Sequence, residues 1–369
     1  MKPTNKDLLQ ETLSKEIINF NYNGILYLPT GTGKTKIIIE ALMQESRIKD
    51  ILWVCATEKA RDTTVKEEYQ KWSDESSWNK VKTICWHSLP KYDIQHQLVI
   101  LDELHMITYP RLQYLLKKRP AAILGITGTK PQNPEKLKLI QHLKLPIIHE
   151  KTVEEAVTQQ LIADYEIEIY YIQLNNTIKK SIKRKNDSLF YATEQESYIW
   201  YTKKLESAVD PVSRKKLALR RASIIYNSIS KLFFSKKLLA TLSDKRIVSF
   251  SKSISIAEQL SPNRYHSKLS KKLRKKIVQD FNEKEFNHLA TVEAANTSEN
   301  FNEIDVIYIH QLDSNSSNYL QRQGRGLRMR NNYIAKIIIV CAKNTVDEIW
   351  VEKCIESLNI NKITKTHVN

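Results

Sequence analysis

The chain of 369 residues carries 58 Lys and Arg against 41 Asp and Glu, a formal charge of +17, on an ordinary soluble composition whose length suits about two domains. No apolar run approaches the ~20 residues needed to span a bilayer, which argues against a membrane role, and Cys55, Cys85, Cys341 and Cys354 lack metal-ligand spacing. With no leader-like segment, this points to a reducing, cytoplasmic setting, and the positive excess points to a polyanionic partner or to a bias toward Lys, Ile and Asn.

Distribution separates those two sources of charge. Residues 1–150 hold 22 basic and 17 acidic residues, net +5, whereas residues 175–240 hold 15 and 5, net +10. The excess is concentrated in the middle of the chain.

In chain order, residues 1–24 place Leu8, Leu9, Leu13, Ile17 and Ile18 at helical spacing, with Gln10 on the same stretch. The apolar run from Ile25 to Leu28 reads as a buried strand that enters Thr30-Gly31-Thr32-Gly33-Lys34-Thr35, and Lys34 to Gln44 reads as a helix. Glycines can take dihedrals closed to other residues, so this loop can wrap a phosphate and face it with backbone N–H groups and a helix N-terminus. Lys34 would reach the outer phosphates and the Thr35 hydroxyl would sit on Mg²⁺. Leu28 stands where the strict phosphate-loop pattern has its first glycine, and a plain Gly-rich turn has the same outline.

Ile51–Thr57, Val81–Ser88 and Leu98–Asp102 are further apolar runs, alternating with helical stretches, which implies βαβ units and a parallel sheet. The run Leu98-Val99-Ile100-Leu101 ends in Asp102-Glu103-Leu104-His105, which would deliver two acids at the edge where open α/β sheets bind ligands. Asp102 would hold Mg²⁺ and Glu103 would orient and deprotonate a water, although an isolated Asp-Glu pair also reads as a solvated strand end. Ala122–Thr129 is a further strand, closing in a small hydroxylated turn.

Past Glu150 the pattern restarts. Thr152–Ala163 is helical, Tyr165–Leu174 alternates as a strand, and residues 175–242 contain no Gly, one Pro and long helical stretches. Lys183, Arg184 and Lys185, with the basic residues that follow, interleave with Tyr191, Tyr198, Trp200 and Tyr201. This suits a strand-tracking element or a solvated helical subdomain with aromatic core residues. Strands at Arg246–Phe250, His288–Val292, Val306–Gln311 and Ile334–Cys341 imply a second sheet. In Gln321-Arg322-Gln323-Gly324-Arg325-Gly326-Leu327-Arg328 the arginines share one helical face, a means of neutralising a transferring phosphoryl group or of touching a nucleic-acid backbone. Asp347–Ser357 reads as a closing helix, and the tail from Asn359 as loose.

With these elements in order, the sequence resembles superfamily 2 DExH helicases, and among them the compact phage and type III restriction-like group, over nearly the whole chain. Pro29–Thr35, Cys55–Glu58, Cys85–Leu89, Asp102–His105, Thr127–Thr129, Ile247–Phe250, Ala294–Asn302 and Gln321–Arg328 look like its motifs I, Ia, Ib, II, III, IV, V and VI. The resemblance implies an α/β fold of two RecA-like parallel-sheet domains in tandem, residues 1–150 and 151–342, with a basic helical insertion at about 175–242 and a C-terminal helix and tail at 343–369. It implies ATP and Mg²⁺ bound by Gln10 (reading adenine), Thr30 to Thr35, Asp102, Gln321, Arg325 and Arg328. Catalysis would rest on Lys34, Asp102, Glu103, Arg325 and Arg328, with His105 coupling to Gln321. Nucleic acid would be contacted through Thr57, Ser88, Thr291 and Lys183 to Lys185. The expectation is an ATP-driven motor, acting as a monomer on single-stranded or forked DNA more than on RNA, in the host cytoplasm if phage-encoded. The alternatives are an RNA helicase, a branch-remodelling translocase, or a nucleic-acid-binding protein with a non-catalytic nucleotide site.

Overall fold

In a computed structural model of the chain, residues 3–45, 47–58, 60–73, 75–128, 130–131, 133–183, 189–292, 301–313, 333–356 and 358–368 are described. The chain divides into two compact units between Asp164 and Tyr165. The division thus comes after Asp164 rather than near Glu150, because the residues between them stay with the first unit, where Asn5 Nδ2 donates to Gln159 O at 3.1 Å.

Helix α1 (Asn5–Asn19) starts at a capping box in which the Thr4 hydroxyl accepts from Asp7 N and the Asp7 carboxylate accepts from Thr4 N. The apolar runs then become strands β1 (Gly24–Tyr27), β2 (Ile51–Cys55), β3 (Val81–Cys85), β4 (Leu98–Asp102), β5 (Ala122–Thr127) and β6 (Ile147–Glu150). Helices α2 (Lys34–Gln44), α3 (Val65–Trp72), α4 (Tyr109–Lys118), α5 (Pro134–Gln141) and α6 (Val153–Thr158) lie among them. The strands form one sheet in the order β3-β2-β4-β5-β1-β6, with every pairing parallel.

Burial on both faces explains the continuous apolar runs. Leu26, Leu28, Ile51, Trp53 and Ile100 pack into one core with Leu13, Ile37 and Ile38. Their strand neighbours Ile25, Tyr27, Leu52, Val54 and Leu101 pack into the opposite core with Leu112, Leu115 and Ile140. Successive residues of a strand point to opposite faces, so each run supplies both cores.

The second unit is built on β7 (Asp164–Ile172), β10 (Ile247–Ser251), β11 (Arg264–Tyr265), β12 (His288–Val292), β13 (Val306–Ile309), β14 (Ile334–Ala342) and β15 (Ile363–Val368). Their order is β11-β12-β10-β13-β14-β7-β15. Before β10 come an antiparallel hairpin, β8 (Lys180–Lys183) and β9 (Leu189–Ala192), and helices α7 (Glu194–Ser207), α8 (Pro211–Tyr226) and α9 (Ile229–Ala240). Helices α10 (Ile254–Leu260), α11 (Lys271–Asn282) and α12 (Val346–Ile355) complete the unit. Its core gathers Ile172, Leu239, Ile247, Ile256, Val306, Tyr308 and Ile338.

The region expected as a basic helical insertion holds α7, α8 and α9 and opens with the β8–β9 hairpin. One expectation is corrected here. The tail expected to be loose forms β15, which pairs in parallel with β7 from Ile363↔Ile167 to Val368↔Ile172. All four cysteines are buried and free. Among the described residues no helix is long and apolar enough to cross a membrane.

Candidate nucleotide site

The loop between β1 and α2 is held from beneath. Gly31 and Gly33 take φ of 101° and 89°, dihedrals that an L side chain rarely adopts. A Cβ on Gly33 would also meet Gln10 Nε2 at 2.3 Å. The loop carbonyls are occupied by inward donors. Lys34 Nζ donates to Leu28 O at 3.1 Å, the Thr32 hydroxyl to Pro29 O at 2.9 Å, Lys6 Nζ to Gly31 O at 2.7 Å and Gln10 Nε2 to Thr32 O at 2.9 Å. Gly33 caps α2 without a side-chain hydrogen bond, so no cap side chain occupies the N–H groups of the first turn, the groups that bind phosphate at helix N-termini.

The buried Gln10 amide supports the loop through Thr32 O, a contact in addition to its expected task of reading a base. Lys6, which the sequence analysis did not single out, does the same through Gly31. The signal for it was its spacing, one helical turn before Gln10 on α1. Thr30, Gly33, Lys34 and Thr35 are half-buried around the loop, and Thr32 is fully buried.

The acids emerge from β4. Strand β5 lies between β4 and β1, so its last residue, Thr127, bridges the two signals. Thr127 O accepts from Leu28 N at 3.0 Å on the loop side. On the acid side, His105 Nδ1 lies 2.9 Å from Thr127 Oγ1 and 3.3 Å from Glu103 Oε2, and the Thr127 hydroxyl lies 3.5 Å from Glu103 Oε2. Glu103 takes φ of 52°, a left-handed backbone position that turns the chain out of the strand. The Trp86 indole N–H donates to Asp102 O at 2.7 Å, and the Arg111 guanidinium lies 5.5 Å from the Trp86 ring centre.

The two carboxyls are driven apart. Burial, together with the neighbouring Glu103 charge, pushes Asp102 upward in spite of Lys34. Burial works to raise Glu103 as well, but the His105 hydrogen bond, the Lys34 and His105 charges and the Thr127 hydroxyl outweigh it and hold Glu103 below its ordinary value. Adjacent acids with opposite shifts suit different roles, one as ligand and one as base. Among the described residues no group of three or more His, Cys, Asp or Glu could hold a metal by itself. The oxygen donors Thr35 and Asp102 instead fit Mg²⁺, which one or two protein oxygens hold when phosphates and water supply the remainder.

The other expected residues are placed as follows. Thr57 and Ser88 are half-buried just beyond the C-terminal ends of β2 and β3, on the same sheet edge as the loop. Thr291 is corrected: it is fully buried inside β12 and its hydroxyl donates to Ser249 O at 3.0 Å, so it faces the sheet interior and not a bound strand. Lys183 ends β8. Arg184, Lys185, Gln321, Arg325 and Arg328 lie outside the described residues, as does the expected coupling of His105 to Gln321.

With two parallel-sheet units and a phosphate-type loop in hand, the comparisons become decisive for the fold. The structure is similar to the helicase domain of Hef from Pyrococcus furiosus, with 14% sequence identity and a TM-score of 0.56, over 95% of this chain and 98% of that one. The fold is the tandem RecA-like helicase fold. Residues 226–330 match the model of the helicase conserved C-terminal domain. No curated protein matches the chain.

Proposed function

We propose that the chain is an ATP-dependent helicase or translocase that hydrolyses ATP to move along or remodel nucleic acid, with DNA as its substrate. The observation that carries this reading is the shared edge of the first sheet, where Glu103, held by His105 and Thr127, emerges across β5 from the Lys34 loop. Lys34 and the N-terminus of α2 would bind the phosphates. Mg²⁺, held by Thr35 and Asp102, would supply charge neutralisation at those phosphates. Glu103, kept ionised by its neighbours, would orient a water and accept its proton. Arg325 and Arg328 enter the proposal through the sequence resemblance, as the groups that stabilise charge during transfer.

Replacing Lys34 with Ala is the direct test. Strand-stimulated ATPase should fall to background while thermal stability is kept, and turnover near wild type would remove the mechanism. A panel of single-stranded DNA, forked DNA and RNA then separates the DNA reading from an RNA helicase, which would use the same ATPase residues. The net +10 over residues 175–240 supports a polyanionic track without choosing between the two.

A further inference from the structure

The structure sorts the aromatic residues of the basic segment by accessibility. Tyr198 is buried, with its hydroxyl accepting from Val346 N at 2.7 Å and Arg221 against its ring. It is part of the internal packing of the second unit. Tyr201 is half-buried and lines a cavity with Ser197 and Arg220. Trp200 is different: 47% of it is exposed, next to Ile199 at 46%. Tyr201 stands edge-on against the Trp200 ring with centroids 4.8 Å apart, which orients the indole, and Lys204 Nζ lies 5.8 Å from its centre.

Ile199, Trp200, Lys203 and Lys204 are all exposed, and at i, i+3 and i+4 spacing they share the outward face of α7. Together α7 and α8 hold seven Lys and Arg and three Glu, and Asp210 caps α8; of these four acids Glu206 is exposed near the end of α7 and the other three are committed elsewhere. Glu196 accepts from Thr193 N at 2.8 Å, Asp210 accepts from Ser213 N at 2.7 Å, and buried Glu194 accepts from Ser228 Oγ at 2.8 Å and Ile229 N at 2.7 Å. Among the described residues neither Lys203 nor Lys204 is paired with a carboxylate. A flat, oriented, solvent-facing indole flanked by unpaired ammonium groups is complementary to one ligand chemistry, a nucleobase between two phosphates.

We propose that this face of α7 is a stacking site for an unpaired base of single-stranded nucleic acid, with Trp200 as the platform and Lys203 and Lys204 on the flanking phosphates. It rests on the proposed action on nucleic acid and adds the point at which the second unit grips the strand. It also gives the basic segment a specific function: charge holds the strand nearby, and the indole fixes its register.

The full chain, its Trp200→Ala, Trp200→Phe and Lys204→Gln variants, and Lys34→Ala should be compared by fluorescence anisotropy with labelled oligo(dT) over a salt series. Trp200→Ala should weaken binding about tenfold, as loss of one stacked base does, and Trp200→Phe should restore most of it. Lys204→Gln should reduce the slope of log affinity against log salt by roughly 0.7. Melting temperature and ATPase without oligonucleotide should be unchanged in the Trp200 and Lys204 variants. Wild-type affinity in Trp200→Ala overturns the site, as does wild-type affinity with altered self-association, which would assign the face to a protein contact. If Lys34→Ala keeps its ATPase while Trp200→Ala still loses the oligonucleotide, the motor reading fails and the stacking site stands.

Discussion

Lys231 Nζ lies 2.8 Å from Asp347 Oδ2, with the two side chains 0% and 1% exposed. The pair joins α9 to the first turn of α12, and the same Asp347 oxygen accepts from Ala342 N at 2.8 Å where β14 ends. Removing one member leaves a buried charge with no counter-ion, a change that typically costs about 3–5 kcal/mol, whereas neutralising both members costs far less. Lys231→Met should therefore lower the urea midpoint of the second unit strongly, and Lys231→Met with Asp347→Asn should recover much of the loss. A single variant as stable as wild type would show that the pair does not hold α9 against α12.

Gln10 offers a test of how the loop is supported. Its amide fills the space that a Gly33 side chain would need, and it satisfies Thr32 O. If Gln10 acts through the loop, Gln10→Ala should weaken ATP and GTP to the same degree, by roughly tenfold for one buried hydrogen bond. A base-reading Gln10 would instead weaken ATP alone. Gly33→Ala should abolish nucleotide binding, and adding Gln10→Ala should not rescue it, because the contact is relieved but the φ of 89° remains. Competition binding with a fluorescent nucleotide analogue reads all three variants.

The Glu103, His105 and Thr127 triangle separates binding from turnover. Glu103→Gln keeps the shape and removes the base, so nucleotide affinity should persist while kcat falls by about 10²–10⁴. His105→Ala removes the leading interaction that keeps Glu103 ionised, so its loss in kcat should be smaller and relieved at higher pH. A fall in affinity with kcat preserved would place both residues in binding and not in catalysis.

How much of this was legible in sequence follows from what each element shows to solvent. The central strands read clearly, since Leu98 to Leu101 and Ile51 to Cys55 are buried on both faces and leave an uninterrupted apolar run. The loop glycines and the acid pair read clearly too, because their chemistry restricts residue type. Strand β15 was missed because Thr364 to His367 are exposed, so its order comes from backbone pairing with β7, which leaves no hydrophobic signature. Strand β6 is only four residues long, with its outer positions exposed. The interior position of Thr291 and the support given by Lys6 and Gln10 are properties of orientation. Spacing names the face of an element, but not the neighbour that its side chain meets.

Acid sensitivity should arise from two histidines in the second unit. Burial pushes the His288 imidazole down to about 4, and its Nε2 lies 3.0 Å from Ser249 Oγ. Burial, aided by the Lys231 charge, holds His310 well below its ordinary value. Between pH 6.5 and the depressed values the unfolded chain binds protons that the folded chain does not, so stability rises with pH in this window and is lost as pH falls through it. Each group contributes a slope of up to about 1.4 kcal/mol per pH unit. His288→Gln can keep a hydrogen bond to Ser249 and cannot titrate, so its urea midpoint should change less than that of wild type between pH 6.5 and 4. Parallel profiles for the two proteins would show that His288 is not a source of the acid sensitivity.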